Sequence, residues 1–418
     1  MALAALFRPD VTDAFFVAFT IPNLLRQLLG EGAVSSAVVP VLTEQQEREG
    51  LPRAVRFFRA LEGVWLLALA VVTALGVALA RPLCHLFAGG YTARPEQFER
   101  TVLLTRLVFP YIFFMGLSAL GMAALHTQRR FAVAAFAPGL LNVAFLVGAF
   151  VLPPALRVWG LDAGVALAVS ALVGGALQVV AQWPALARIG FLGAPRFEPG
   201  DPAVREVWRR LVPMTLGVSV YAVDIVLSRR FLSGLGTGAQ SYFMWASRLC
   251  DLPQGIFSLA LTTAALPTLA TLYARGEREE LGRVFARGLR MTLFLAVPCA
   301  VALMALGPAL LTLLFRRGFF DAHAVRETSR ALLFQGASVI TVATVRQAVA
   351  AFHSMGNTRT PVLVSVLDLS AFIVLAFCLT GPLGHAGVSA AVAGSSFVQM
   401  VLLVVFLRRK GPGTALEG

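Results

Sequence analysis

Apolar stretches of about 20 residues recur from one end of the chain to the other, and they constrain its fold most strongly. GVWLLALAVVTALGVALA at 63–80 is one of them. A helix of this length crosses the roughly 30 Å hydrocarbon core of a bilayer and satisfies its own backbone hydrogen bonds there. The composition agrees, because 58% of residues are hydrophobic and only 14% are charged, against about 45–50% and about 25% in soluble domains. The sequence therefore predicts an all-α polytopic membrane protein.

The apolar stretches define a series of membrane spans, preceded by a short apolar piece at 2–7 that indicates the end of another helix. The spans are predicted at 10–45, 60–83, 101–127, 131–153, 160–188, 203–232, 236–273, 284–315, 325–354, 359–381 and 384–408. Alternate loops, such as those at 44–59 and 275–290, are richer in arginine. By the positive-inside rule these loops and the C-terminus face the cytoplasm. The net charge of +13 is spread between spans, which indicates anionic lipid headgroups as partners and not nucleic acid.

The sequence also contains an internal repeat. SSAVVPVLTEQ at 35–45 is echoed by TTAALPTLATL at 262–272, so that Pro40 aligns with Pro267. Two such halves predict two six-helix bundles, related by a pseudo-two-fold axis along the membrane normal and arranged around a central cavity. The predicted domains are an N-terminal bundle at 1–189, a Gly/Pro-rich cytoplasmic linker at 190–203 and a C-terminal bundle at 204–418.

Several ionisable residues lie inside the predicted spans. A charge at bilayer depth costs several kcal/mol unless it is paired or faces water, so each one is a candidate site residue. The candidates are Asp13, Arg26, Arg106, Asp224, Arg248, Asp251, Arg346 and Asp368.

The first long span carries a polar stripe. Asn23, Arg26, Gln27 and Gly30 follow i, i+3, i+4, i+7 spacing and share one helix face. Such a stripe is expected to line a water-filled cavity, where the planar guanidinium suits a phosphate group. The alternative is that Arg26 is structural, either extending to the membrane interface or pairing with Asp13. Bends are expected in this span at Pro22 and at Gly30 and Gly32, because the span is longer than the bilayer is thick.

Asp224 and Asp368 lie in separate helices of the second half. Two carboxylates in one bundle could bind a hard cation, relay a proton, or each pair with an arginine such as Arg346. The residues alone leave these alternatives open. The five histidines and four cysteines show no metal-ligand spacing, so no transition-metal cofactor is expected.

Motifs distributed along the whole chain resemble one family of membrane proteins. DAFFVAFTIPNLLRQLLGEGAVSSAVVPVLTEQ (13–45) closely resembles the second-helix signature of the MviN/MurJ family of lipid II flippases. Further similarity follows in the family's order in FPYIFFMGLSALGMAALHTQRRFAVAAFAPGLLN (109–142), SRLCDLPQGIFSLALTTAALPTLA (247–270) and NTRTPVLVSV (357–366). The family belongs to the multidrug/oligosaccharidyl-lipid/polysaccharide exporter superfamily.

The resemblance implies export of an undecaprenyl-diphosphate-linked peptidoglycan precursor across the bacterial cytoplasmic membrane by alternating access. It implies a transporter and not an enzyme, with the lipid-linked precursor and the bilayer as partners and a monomer as the expected state. Arg26 and Arg248 match arginines important for the family's function, and Asp13 matches its acid. Arg106 and Arg346 match positions that are usually basic. With Asn23 from the polar stripe, these residues form the predicted site for the diphosphate.

The sequence departs from the family pattern in three places. Its first helix is largely missing, and many relatives continue into two further helices. Some relatives hold sodium at positions that here are Ser228, Phe372 and Ala376. Because Asp224 and Asp368 each lie one turn earlier, a displaced site for a monovalent cation such as sodium is a hypothesis.

Three other functions compete with the leading one. A drug/cation antiporter of the same superfamily is expected to have an apolar, acidic cavity, so Arg26 and Arg248 count against it. A flippase for another polyprenyl-diphosphate oligosaccharide shares the same diphosphate chemistry, and only the family signature separates the two. A membrane scaffold without transport activity is the third alternative.

Overall fold

The computed structural model describes residues 1–29, 33–217 and 219–410, and all regular structure within them is helical. The predicted all-α class is therefore confirmed. Nine helical stretches in this part of the chain are long and apolar enough to cross a membrane. The predicted spans 10–45 and 203–232 each include residues that the structure does not describe. The bends expected at Gly30 and Gly32 fall on such residues and stay predictions.

The backbone contacts divide the chain into two compact units. One comprises residues 2 and 6–222, and the other comprises residues 1, 3–5 and 223–418. The helices up to the linker are α1 (Ala2–Leu6), α2 (Pro9–Leu29), α3 (Ala33–Glu49), α4 (Leu51–Ala78), α5 (Ala80–Ala88), α6 (Pro95–Val108), α7 (Tyr111–Thr127), α8 (Phe131–Phe136), α9 (Gly139–Val158) and α10 (Gly164–Arg188).

The remaining helices follow the linker. They are α11 (Pro202–Gly217), α12 (Ser219–Ser233), α13 (Ala239–Pro253), α14 (Leu259–Ala274), α15 (Arg278–Phe315), α16 (Ala322–Ser354), α17 (Arg359–Leu383) and α18 (His385–Lys410). A π-helical turn at Gln254–Ser258 connects α13 to α14. By contacts, α11 groups with the first unit, whereas the predicted bundle boundary lies at 203/204; that boundary stays a prediction.

α4 shows why these sequences form membrane helices. Gly50, with φ of 78°, precedes the helix, and Pro52 occupies its first turn, where a missing N–H costs nothing. Phe58, Leu61 and Trp65 are spaced three to four residues apart and are buried. Another face carries exposed side chains that are equally apolar, at positions 67, 71 and 75. A helix that is apolar on both faces is suited to lipid and not to water.

The predicted linker is fastened along α4. The Arg196 N–H donates to the Arg59 carbonyl at 2.8 Å, and Arg59 Nη2 donates to the Leu192 carbonyl at 3.1 Å. Phe191 is fully buried, with its ring 5.2 Å from that of Phe58. A side chain at Gly63 would place its Cβ 2.1 Å from the Arg196 carbonyl oxygen, so the absence of a side chain there permits this close approach.

Asp201 closes the linker at the start of α11. Its carboxylate accepts two hydrogen bonds from Arg53 Nη1 and Nη2, at 2.9 and 3.3 Å. The same carboxylate accepts the Ala203 backbone N–H at 2.8 Å, which caps the helix N-terminus. Burial raises the pKa of Asp201, but the Arg53 hydrogen bond, the Ala203 N–H and the Arg53 charge outweigh it, and the net pKa is lowered.

The Asp201→Ala substitution is expected to lower the free energy of unfolding by about 2 kcal/mol, because a helix cap and a charge-assisted hydrogen bond are lost together. Because the folded-state pKa is depressed, the stabilisation by Asp201 is present above about pH 4 and is lost as pH falls through the folded value. Thermal unfolding of the purified protein at a series of pH values measures this. Asp201→Asn is the control, since it keeps a capping oxygen and removes the charge; an equal acid loss in wild type and Asp201→Asn would contradict the assignment.

Candidate functional site

A cationic cluster forms in the second unit where α13 ends beside α16. Arg248 and Asp251 lie in the last two turns of α13, with Arg248 Nη1 3.4 Å from Asp251 Oδ2, and both side chains are more than half exposed. Arg346 on α16 is half-buried and acts electrostatically on the same carboxylate. Two guanidinium groups act on a single carboxylate, so the cluster keeps a net positive charge.

The π-helical turn holds Arg346 in place. Arg346 Nη1 donates to the Gln254 backbone carbonyl and Nη2 donates to Gln254 Oε1, both at 3.4 Å. Pro253 immediately precedes this turn and has no N–H to donate, so the regular i→i−4 ladder cannot continue through it. A π-helical turn leaves carbonyl oxygens free to accept from side chains, and such turns are frequent at functional sites.

The first unit carries the polar stripe of α2. Arg26 Nε donates to Asn23 Oδ1 at 2.9 Å, which confirms that these two side chains share a face. Both are partly exposed, and α2 continues through Pro22. The side chain of Gln27, and Gly30 as a whole, lie outside the part of the chain that the structure describes.

Asp13 lies near the N-terminal end of the same helix and is buried, with 1% of its surface exposed. It is 13 residues from Arg26 in a continuous helix, which is about 20 Å along the axis at 1.5 Å per residue. That separation exceeds the combined reach of the two side chains. The alternative in which Arg26 pairs directly with Asp13 is therefore excluded.

Arg106 lies on the exposed face of α6 and lines a cavity of about 420 Å³. Glu96, Glu99, Arg100 and Asp162 line the same cavity. Arg100 is held by Asp162 at 2.7 Å and by Asp10 at 2.9 Å, and Glu99 is paired with Arg81 at 2.7 Å. Arg106 has no ion-pair partner among the described residues, so its charge is available to an anion.

Asp224 and Asp368 lie close enough to interact electrostatically, although they come from α12 and α17. Asp368 Oδ1 is buried and has no hydrogen-bond partner among the described residues. One turn farther along, Phe372 and Ala376 are fully buried in an apolar cluster with Leu227 and Phe231. Phe372 and Ala376 occupy positions at which some relatives are expected to hold sodium. Neither has a side-chain oxygen, so these two side chains cannot coordinate a cation here.

The structure pairs Arg248 with Asp251 and places Arg346 within electrostatic range of that carboxylate. It links Asn23 and Arg26 by a hydrogen bond, and it places Asp224 and Asp368 within electrostatic range of each other. It places Arg106 in a separate cavity of the first unit and Asp13 in a buried position. Sequence reasoning missed Gln254, whose side chain and carbonyl orient Arg346. The Pro253–Gln254–Gly255 run was the available signal, because a proline followed by a glycine inside an apolar helix marks a break in its hydrogen bonding.

Comparisons with known proteins decide the family. The family model described as "Lipid II flippase MurJ" matches residues 3–418. The lipid II flippase MurJ of Burkholderia cenocepacia is 34% identical over 404 residues, covering 96% of this chain and 78% of the relative. The chain belongs to the MurJ lipid II flippase family. A probable lipid II flippase MurJ of Bdellovibrio bacteriovorus is 32% identical, covering 100% of this chain and 79% of that relative.

Solved structures confirm the fold of this MurJ-family chain. A lipid II flippase MurJ in an inward closed conformation superposes with a TM-score of 0.81 at 21% identity, covering 97% of this chain and 83% of that one. An inward-facing multidrug resistance transporter of the MATE family gives a TM-score of 0.77 at 14% identity, covering 98% and 92%. At these identities the likeness concerns the fold alone.

The cluster around Arg346 yields a binding prediction. Asp251→Asn removes the carboxylate that partly neutralises Arg248 and Arg346, so the affinity for inorganic pyrophosphate is expected to rise about threefold to tenfold. Arg346→Gln is expected to weaken it, and Gln254→Leu is expected to weaken it less, because the guanidinium remains but loses its orientation. Isothermal titration of the purified protein at low salt measures all three. Unchanged affinity in both Asp251→Asn and Arg346→Gln would contradict the cluster as an anion site.

Proposed function

We propose that the protein flips the undecaprenyl-diphosphate-linked peptidoglycan precursor, lipid II, across the bacterial cytoplasmic membrane. The observation that carries this proposal is the match of one family, described as a lipid II flippase, over almost the whole chain. The nine described spans and the exposed arginines on apolar helices support it, since an amphipathic lipid diphosphate requires both. The protein is a transporter and not an enzyme.

A drug/cation antiporter is less well supported. The MATE-family structures match at 14–15% identity, which concerns the fold alone. Three curated relatives at 31–34% identity are named as lipid II flippases or probable lipid II flippases. The charges differ as well, because Arg248 and Arg346 leave the second-unit cluster cationic, whereas an antiporter of cationic drugs needs an acidic or apolar site.

The proposed mechanism assigns the diphosphate to arginines in each half of the chain. Arg248 and Arg346 bind it in the second half, with Gln254 orienting Arg346. Arg26, steadied by Asn23, binds it in the first half, and Arg106 offers a further cation. Guanidinium groups suit this role because their planar forks donate two parallel hydrogen bonds to phosphate oxygens. Alternating access with a cytoplasmic C-terminus completes the proposal.

A monovalent cation such as sodium is proposed at Asp224 and Asp368. The two carboxylates interact electrostatically and Asp368 Oδ1 lacks a partner among the described residues; carboxylate oxygens are the ligands that a hard cation prefers. When bound, the cation would neutralise part of the repulsion between the two carboxylates. Its site would lie one turn from Phe372, toward the start of α17.

Loss of the Arg26 or the Arg248 side chain is expected to abolish lipid transport. Arg26→Ala and Arg248→Ala should each fail to restore growth to a strain depleted of its own lipid II flippase, and binding of a lipid diphosphate should weaken about tenfold to a hundredfold. Arg→Lys at each position should rescue only in part, because an ammonium group does not form the bidentate contact. Arg275→Ala is the matched control, since Arg275 is exposed and lies outside the cluster. Growth with the Arg26→Ala, Arg248→Ala double variant would refute the mechanism.

Cation dependence is expected to reside in the two second-unit carboxylates. Lipid translocation in proteoliposomes should depend on sodium in the wild type, and this dependence should disappear in Asp224→Asn and in Asp368→Asn. Glu280→Gln, which removes the same charge near the start of α15, should retain it. Unchanged sodium dependence in both aspartate variants would eliminate the proposed site.

A further inference from the structure

A small pocket with three polar groups in an otherwise apolar lining lies inside the first unit, away from every candidate site residue described above. It is enclosed by α4, α7, α10 and the beginning of the linker, with a volume of about 30 Å³. Its polar lining consists of Glu62, Ser118 and Gln182. Trp183 and Leu192 also line it, and both are about half exposed, so the pocket can be reached from the surface.

The Gln182 side chain is almost completely buried, with 1% of its surface exposed, and its orientation is fixed by its neighbours. Its Nε2 donates to the Gln178 carbonyl at 3.1 Å and to Ser118 Oγ at 2.6 Å. A backbone carbonyl can only accept, so the amide nitrogen must face it and the amide cannot be flipped. Gln182 Oε1 therefore points the other way, and it has no hydrogen-bond partner among the described residues.

Gly121 makes the room for this oxygen. A Cβ at position 121 would lie 2.6 Å from Gln182 Oε1, which is closer than a carbon and an oxygen can pack without displacement. Gly121 also lines the pocket. The bare backbone on α7 therefore keeps a buried, unpartnered oxygen at the pocket wall. A buried acceptor without a donor is uncommon in folded proteins and needs an explanation, of which a bound ion or water is one.

The groups that meet at this pocket are rich in oxygen acceptors. Gln182 Oε1 and the Glu62 carboxylate can only accept from or coordinate a ligand, and Ser118 Oγ can do so as well. Glu62 is the last charged residue on α4 before its apolar run. Arg59 acts electrostatically on it, but Arg59 Nη2 donates to the Leu192 carbonyl at 3.1 Å.

We propose that this pocket binds a monovalent metal cation, coordinated by Glu62, Gln182 Oε1 and Ser118 Oγ. One carboxylate balances one positive charge, whereas a divalent ion would leave an uncompensated charge in a low-dielectric environment. The volume accommodates a bare ion of about the size of a water molecule, since one water needs roughly 10–15 Å³. No group of three or more His, Cys, Asp or Glu residues that could hold a metal ion occurs in the described part of the chain, which fits an alkali ion and not a transition metal.

The bound ion would tie together three helices and the linker. Glu62 lies on α4, Ser118 on α7 and Gln182 on α10, and Phe191 and Leu192 of the linker cover them. The linker is already fastened to α4 through Arg59, so ion occupancy would stabilise the whole first unit. This role is independent of lipid transport and of the cation proposed at Asp224 and Asp368.

Thermal unfolding and ion binding of the purified, detergent-solubilised protein test the proposal. The variants are made in an Asp368→Asn background so that the second-unit carboxylates do not contribute. Sodium, potassium, lithium and the non-coordinating N-methylglucamine cation are titrated at constant ionic strength. Saturable stabilisation is expected with one or two of the alkali ions and not with N-methylglucamine. Binding of ²²Na⁺, or of ⁸⁶Rb⁺ if potassium is preferred, should have the same midpoint.

Glu62→Gln and Gly121→Ala are expected to weaken ion binding at least tenfold, the first by removing the charge and the second by displacing Gln182 Oε1. Glu47→Gln, which removes an exposed carboxylate from the same unit, should bind as the background does. If Glu62→Gln fails to fold, Gly121→Ala decides alone, since it removes no polar group. Equal stabilisation by every monovalent salt would mean that the pocket holds only water. If the unfolding temperature depends on pH and not on the identity or concentration of the ion, Glu62 is protonated and donates a hydrogen bond to Gln182 Oε1. Either outcome overturns the proposal.

Discussion

The free-energy cost of placing charge and unpaired polar groups in hydrocarbon governs this structure. Backbone groups avoid that cost by forming helices, so the sequence becomes a series of apolar spans. Side chains avoid it by pairing, as Asn23 does with Arg26 and Gln182 does with Ser118. The groups that remain incompletely satisfied therefore carry information. Arg106, Asp368 Oδ1 and Gln182 Oε1 are such groups, and each needs an explanation in a chain built of apolar helices.

The same cost explains why Arg346 lies beside an irregular stretch of helix. Pro253 interrupts the backbone ladder between α13 and α14, and the π-helical turn presents the Gln254 carbonyl to Arg346. A backbone irregularity thus provides an acceptor that holds a guanidinium without neutralising it. Asp251 neutralises only part of the local charge. The outcome is a cationic surface that is held in position and still able to receive an anion.

Much of this could be predicted from the sequence, because hydropathy and helical periodicity are local properties. The membrane class, most span positions and the shared face of Asn23 and Arg26 follow from residue spacing alone. Contacts between distant segments do not. The linker packs against α4 through the contact between Phe191 and Phe58 and through the ion pair between Asp201 and Arg53. The residues of that ion pair are 148 positions apart in the sequence. Likewise, the Glu62 pocket exists only because α7 brings Gly121 against Gln182, and neither residue stands out in an apolar helix.

The central claim is that arginines on membrane helices recognise a lipid-linked diphosphate and carry it across the bilayer. Translocation by the purified protein in proteoliposomes, comparing lipid II with the same lipid carrying a single phosphate, tests this most directly. The account predicts rapid appearance of lipid II in the opposite leaflet, slower movement of the monophosphate, and loss of this difference in Arg248→Ala. Equal rates for both lipids in the wild-type protein, or no translocation of lipid II above protein-free vesicles, would contradict it.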